Sequence, residues 1–184
     1  MSADATKATT SKPKIGGAVF KAPLTAILPT DATSSLSEDF VCLGYVSEDG
    51  IKNNNTASTG KIKAFGGDTI VTYTEEKPDT FKFTLAEALN EDVLKTVYGE
   101  DNVTGTLSAG MTVKANSKEL PNFVWVLELV LKNNVVKRIV IPRASVTEIG
   151  EISYTDTNLL GYETTLSALP DTAGNTHYEY IKSN

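Results

Sequence analysis

The stretch from Phe123 to Ile141 constrains the fold more than any other part of the chain. Phe123 to Lys132, then Asn133-Asn134, then Val135 to Ile141 reads as a β-hairpin, because two asparagines tolerate the positive φ angles that a type I′ turn requires. Pro142 is expected to end the second strand. On the first strand Phe123, Trp125, Leu127, Leu129 and Leu131 share one face, while Val124, Val126 and Val130 occupy the other. A strand that is apolar on both faces is buried on both, either between two layers of one domain or between a domain and a partner subunit. With one short helix available as cover, the partner reading gains weight. Val124, Val126 and Val130 are therefore candidate interface residues, packing on the helix or on a neighbouring subunit.

The remaining pattern is also β. Thr (24), Val (15) and Ile (10) make up 49 of the 184 residues, a bias toward pleated, half-buried strands. Strands are predicted over 40–47, 61–65, 69–74 and 81–86, with a turn at Gly66-Gly67-Asp68 and a weak signal over 103–113. Three more follow over 145–154, 159–169 and 176–181. The one convincing helix covers about residues 90–98. Asn90 is a good N-cap, Glu91 and Asp92 suit the positive end of the helix dipole, and Gly99 stops it. Its Val93, Leu94, Val97 and Tyr98 form one apolar stripe. The expectation is a mainly β fold, an antiparallel β-sandwich or barrel-like core with one short flanking α-helix. A single domain would span 15–184, behind a flexible N-terminal arm over 1–14, with structure beginning near Ile15.

Glu48 to Gly60 reads EDGIKNNNTASTG, a polar connection much longer than an ordinary hairpin loop. Such loops in small domains are mobile or functional, and Ile51 is its only large apolar residue. Glu48, Asp49, Gly50, Ile51, Lys52, Asn53, Asn54 and Asn55 are therefore candidate assembly residues, with Ile51 as an anchor and the charges setting register. Neither this loop nor the arm buries enough surface to order itself.

Several chemistries are disfavoured. One cysteine, Cys42, and one histidine, His177, leave no soft or imidazole metal cluster and no disulfide. His177, in an exposed-looking strand far from any strand-to-helix elbow, reads as an ordinary strand histidine. Cys42 between Val41 and Leu43 reads as a small buried hydrophobe. Gly16-Gly17 and Gly66-Gly67 are turns rather than phosphate loops, and Asp171 to Asn175 lacks the later ligands of a calcium loop. A net charge of -6 without a Lys/Arg run argues against tight DNA binding. The longest apolar stretch, Phe123 to Leu131, is interrupted by Glu128 and is far too short for a membrane helix. The N-terminus has no apolar h-region, so folding in a cytoplasm is expected. No cofactor, metal or catalytic residue is expected.

Six segments carry a family resemblance: Pro13 to Pro23 (PKIGGAVFKAP), Leu28 to Ala32 (LPTDA), Leu43 to Gly50 (LGYVSEDG), Ala64 to Asp68 (AFGGD), Leu94 to Gly99 (LKTVYG) and Asn175 to Glu179 (NTHYE). In this order, over nearly the whole chain, they resemble the major tail tube protein of long non-contractile-tailed bacteriophages, especially those of actinobacteria. The resemblance implies six copies closing into a ring and rings stacking into a tube that conducts genomic DNA without binding it specifically. It implies tape-measure, tail terminator and baseplate or tail-tip proteins as partners beside the chain itself, a place in the virion tail, and synthesis in the bacterial host cytoplasm. It carries over no catalytic residue. The alternatives are a tube protein of contractile tails or type VI secretion, and a tail-tip or surface β-sandwich binding module.

Overall fold

The computed structural model describes residues 3–183. In chain order its elements are β1 (Ser11–Pro13), β2 (Val19–Ala22), β3 (Val41–Cys42), β4 (Lys52–Asn54), β5 (Ser58–Lys63), β6 (Thr69–Glu76), β7 (Thr80–Leu85) and α1 (Glu91–Tyr98). After the helix come β8 (Val103–Thr106), β9 (Gly110–Val113), β10 (Phe123–Leu131), β11 (Val136–Ile149), β12 (Tyr162–Ala168) and β13 (Tyr178–Lys182). The fold is mainly β, with antiparallel pairing and a sandwich-like core.

The hairpin β10–β11 is the spine of a nine-stranded sheet ordered β3-β2-β10-β11-β12-β7-β4. Asn133 and Asn134 both adopt φ 58°, as their tolerance of the left-handed region allows. The register differs from a two-residue turn. Val126 lies opposite Val140, Leu127 opposite Ile139 and Glu128 opposite Arg138, so the loop holds Lys132 as well. A one-residue slip would set Glu128 against Ile139, and pairing of the two charges selects the longer loop.

Pro142 does not end β11, which continues to Ile149 and absorbs most of the separate strand expected over 145–154. The reason is local: the β10 register shifts between Phe123 and Trp125, opposite Ile141 and Ala144. On its other side β13 pairs only with Val136 to Val140 and β12 from Ala144 onward. Pro142 thus falls in a gap where no ladder needs its missing N–H.

Trp125 and Leu127 are fully buried in the main core with Phe81, Phe83, Leu85, Ile141 and Leu166, under Val93, Leu94 and Val97 of α1. The Trp125 indole N–H donates to the Ala144 carbonyl at 3.1 Å. The helix is built as its sequence dictates, with the Asn90 side chain accepting from the Asp92 N–H and Gly99 closing it at φ 95°. On the opposite face of β10, Val124 and Val126 are buried within the chain itself, away from that helix. Val124 packs with Ala22 and Ala26 beside Leu28 and Phe40, and Val126 is fully buried. Over Val124 the irregular segment 23–40 of the same chain is the cover.

That segment is fastened by a buried ion pair. Arg138, 1 % exposed, donates from Nε to Glu128 Oε1 at 2.9 Å and also from Nη2. Its remaining donors reach the Asp31 carbonyl (2.9 Å) and the Ser34 carbonyl (2.8 Å). Lys14 Nζ meets the other Glu128 oxygen at 2.5 Å, and β1 runs along Leu129 to Leu131. Regular structure therefore precedes the expected Ile15: Ala5–Lys7 form a short 3-10 turn capped by Asp4, and the last residues of the proposed arm, Ser11–Pro13, are part of the sheet. Residues 1 and 2 of that arm lie outside the described residues.

The strand expected over 40–47 is broken. Val41 and Cys42 pair with β2, whereas Val46 bridges to Leu85 on β7, so the chain crosses from one open edge of the sheet to the other. Gly44 makes the crossing at φ 75°, and a Cβ there would stand 2.0 Å from the Glu87 carboxyl carbon. No continuous strand spans the gap, and the described residues form no closed barrel. Cys42 is half-buried rather than fully covered, with Sγ 3.4 Å from the Gly16 carbonyl.

Arg138→Ala is expected to lower unfolding stability by about 3–5 kcal/mol, because it leaves the Glu128 carboxylate buried with one partner fewer. Hydrogen exchange should accelerate over residues 31–34 in the same variant. A loss within ~0.5 kcal/mol in urea titrations would show that the pair does not hold the segment.

Candidate assembly surface

Strands β5 and β6 stand apart from the main sheet. They pair only with each other, from Ser58 opposite Glu76 to Lys63 opposite Thr69. The Ala64 N–H donates to the Asp68 carbonyl and the Gly67 N–H to the Ala64 carbonyl, closing the tip. Every residue of both strands except Gly60 is exposed. Gly60 is covered by the Tyr73 ring, and a Cβ there would lie 2.5 Å from its Cζ.

This hairpin is not polar enough to be content in water. Ile62 (50 %), Ile70 (62 %), Val71, Tyr73 and the tip residue Phe65 (112 %) are all exposed. A lone two-stranded hairpin is marginally stable, and contiguous apolar side chains on free strand edges are templates for association. The arrangement can recruit a protein surface.

The residues singled out from the sequence lie at the root of this hairpin or inside the body. Glu48, Asp49 and Gly50 form a turn, with the Gly50 N–H donating to the Ser47 carbonyl. Ile51 is half-buried against the chain's own core, not a free anchor. Lys52, Asn53 and Asn54 are not loop but the edge strand β4, paired with Thr80 to Lys82; Asn55 follows, exposed. Val124 and Val126 are sealed within the chain, and Val130 is half-buried opposite Lys12 of β1. The sequence did mark β5 and β6 as strands. Their apolar residues, Ile62, Val71 and Tyr73 on one face and Ile70 on the other, alternate with Lys and Thr as in a half-buried strand, so their own pattern does not show that they project.

His177 is also placed differently from expectation. It is partly buried, with Nδ1 2.5 Å from Asp79 Oδ2 and its ring edge-on to Phe81 at 5.3 Å. Asp79, 2 % exposed, further accepts from Thr176 Oγ1 (2.5 Å) and Asn53 Nδ2 (2.8 Å). Burial alone would push its carboxyl up, but hydrogen bonds from Thr176, Asn53 and His177 outweigh it and hold the carboxyl below its ordinary 3.8.

Elsewhere, an open groove of about 630 Å³ lies between the end of α1, residues 115–122 and the second half of β11, with Leu120, Val146 and Ile152 among its lining. Asn122 Oδ1 is buried without a hydrogen-bond partner among the described residues. Among those residues no group of three or more His, Cys, Asp or Glu could hold a metal ion, and no helix is long and apolar enough to cross a membrane.

The lowered Asp79 value has a pH consequence. Its stabilisation is complete above the unfolded value near 3.8 and is lost as pH falls through the lower folded value. Stability should therefore drop more steeply below about pH 4 in the parent protein than in Asp79→Asn, measured as urea midpoints. Equal slopes would show that the carboxylate gains nothing from its three donors.

No curated protein matches the chain in sequence. A family model described as phage tail tube protein matches residues 11–184, starting at the residue where β1 begins. The chain belongs to the phage tail tube protein family.

Proposed function

We propose that this chain is a structural, non-enzymatic subunit whose copies close into rings, six to a ring, and stack into the tail tube that conducts DNA into the host. The observation that carries the reading is the β5–β6 hairpin, which leaves Ile62, Phe65, Ile70, Val71 and Tyr73 exposed in a chain whose other strong apolar strand is covered on both faces. Family membership supplies the tail tube, and the number six rests on the resemblance.

The hairpin, together with Glu48, Asp49, Lys52, Asn54 and Asn55 at its root, would meet the next copy or ring. The chain upstream of β1 and Val130 beside it would form a second contact. Tape-measure, terminator and baseplate proteins would bind the ends of the stack, in a tail assembled in the host cytoplasm. A charge of -6 per copy favours a channel that repels DNA and lets it slide.

Electron microscopy of the purified chain at high concentration tests the reading. Tubes are expected from the parent protein. Replacing residues 57–77 with a short Gly-Ser turn should leave a folded protein of unchanged thermal midpoint that forms none. Normal tubes from that variant would contradict the assignment of the hairpin.

A further inference from the structure

A hairpin whose strands pair only with each other depends on its root for direction. Strand β6 spans eight residues, or about 27 Å, so an error of ~10° at the root displaces the tip by ~5 Å. A side chain on the neighbouring copy then misses its pocket. Something must hold the root.

The two legs leave the body between Asn54 and Asp79. Across that gap Asn53 Nδ2 donates to Asp79 Oδ1 and to the Thr80 carbonyl (3.1 Å), tying the strand before the hairpin to the strand after it. Oδ2 of the same carboxylate takes the Thr176 hydroxyl and faces His177 Nδ1, which bring in the approach to β13. The Asp79 carbonyl accepts the Ala168 N–H at 2.9 Å, adding β12. Three donors from two separate parts of the chain, Asn53 on one side and the adjacent Thr176 and His177 on the other, converge on one nearly inaccessible carboxylate. A buried carboxylate without its donors is costly, so these segments are held in one relative position. An apolar residue would fill the space without imposing that geometry.

We propose that Asp79 is a positioning residue that fixes the direction in which the β5–β6 hairpin leaves the body. Its importance for tube formation rests on the assembly reading above; its effect on the hairpin does not.

The test is a pulsed electron-spin distance measurement on the full chain carrying Cys42→Ser, with spin labels at Lys63→Cys on the hairpin and Arg143→Cys on the body. Labelled protein is diluted into unlabelled protein so that only distances within one chain are read. A narrow distribution is expected, widening about twofold in Asp79→Asn. Thr176→Val and Asn53→Ala, which keep the carboxylate, should widen it partially, and Thr176→Ser should restore it. A control pair with both labels on the body should not change. An unaltered Lys63–Arg143 distribution in Thr176→Val and Asn53→Ala would overturn the proposal, even if Asp79→Asn failed to fold. Normal tubes from the hairpin-replacement variant, by contrast, would overturn the assembly reading while leaving the distance result intact.

Discussion

The Glu128–Arg138 pair determines what this chain can leave exposed. It sits in the middle of the most apolar strand, with both side chains within 5 % of full burial. Ionic groups in such a place cost several kcal/mol each unless every donor and acceptor is used. The structure uses them. Glu128 receives Arg138 and Lys14, and Arg138 spends its other donors on the carbonyls of Asp31 and Ser34. One pair thereby sets the β10–β11 register, fastens the 23–40 segment that packs on Val124, and draws the residues around β1 against the edge of the sheet.

The functional reading follows from that cover. A strand with two apolar faces would ordinarily be the first candidate for a subunit interface. Here the chain itself buries Val124 and Val126, while the β5–β6 hairpin leaves Ile62, Phe65, Ile70, Val71 and Tyr73 exposed. A family of tube subunits needs contacts that are not consumed by folding. Under the proposed function, the division between the main sheet and the projecting hairpin would provide them, with Asp79 at the junction.

What was legible in the sequence was mostly what short-range physics decides. Asn90 and Gly99 bounded α1 because capping depends on a few adjacent residues, and the apolar alternation of Phe81, Phe83 and Leu85 located β7. The β10–β11 turn was legible in kind, but its length depended on Glu128 finding Arg138. The cover over Val124 was invisible because residues 23–40 have no period; they are positioned by Arg138, more than a hundred residues away. For the same reason the polar run at Lys52 to Asn54 looked like loop: its strand character comes from β7 and Asp79, not from its own side chains. Whether Ile51 was an anchor or core, and whether β5–β6 packed or projected, were likewise matters of distant contacts.

Hydrogen exchange compared between free chain and assembled tubes tests the central claim most directly. Rapid exchange over Ser58 to Glu76 is expected in the free chain and strong protection there in tubes, with Val124 to Glu128 already protected in both. Protection gained over Val124 to Glu128 on assembly, with Ser58 to Glu76 unchanged, would contradict it.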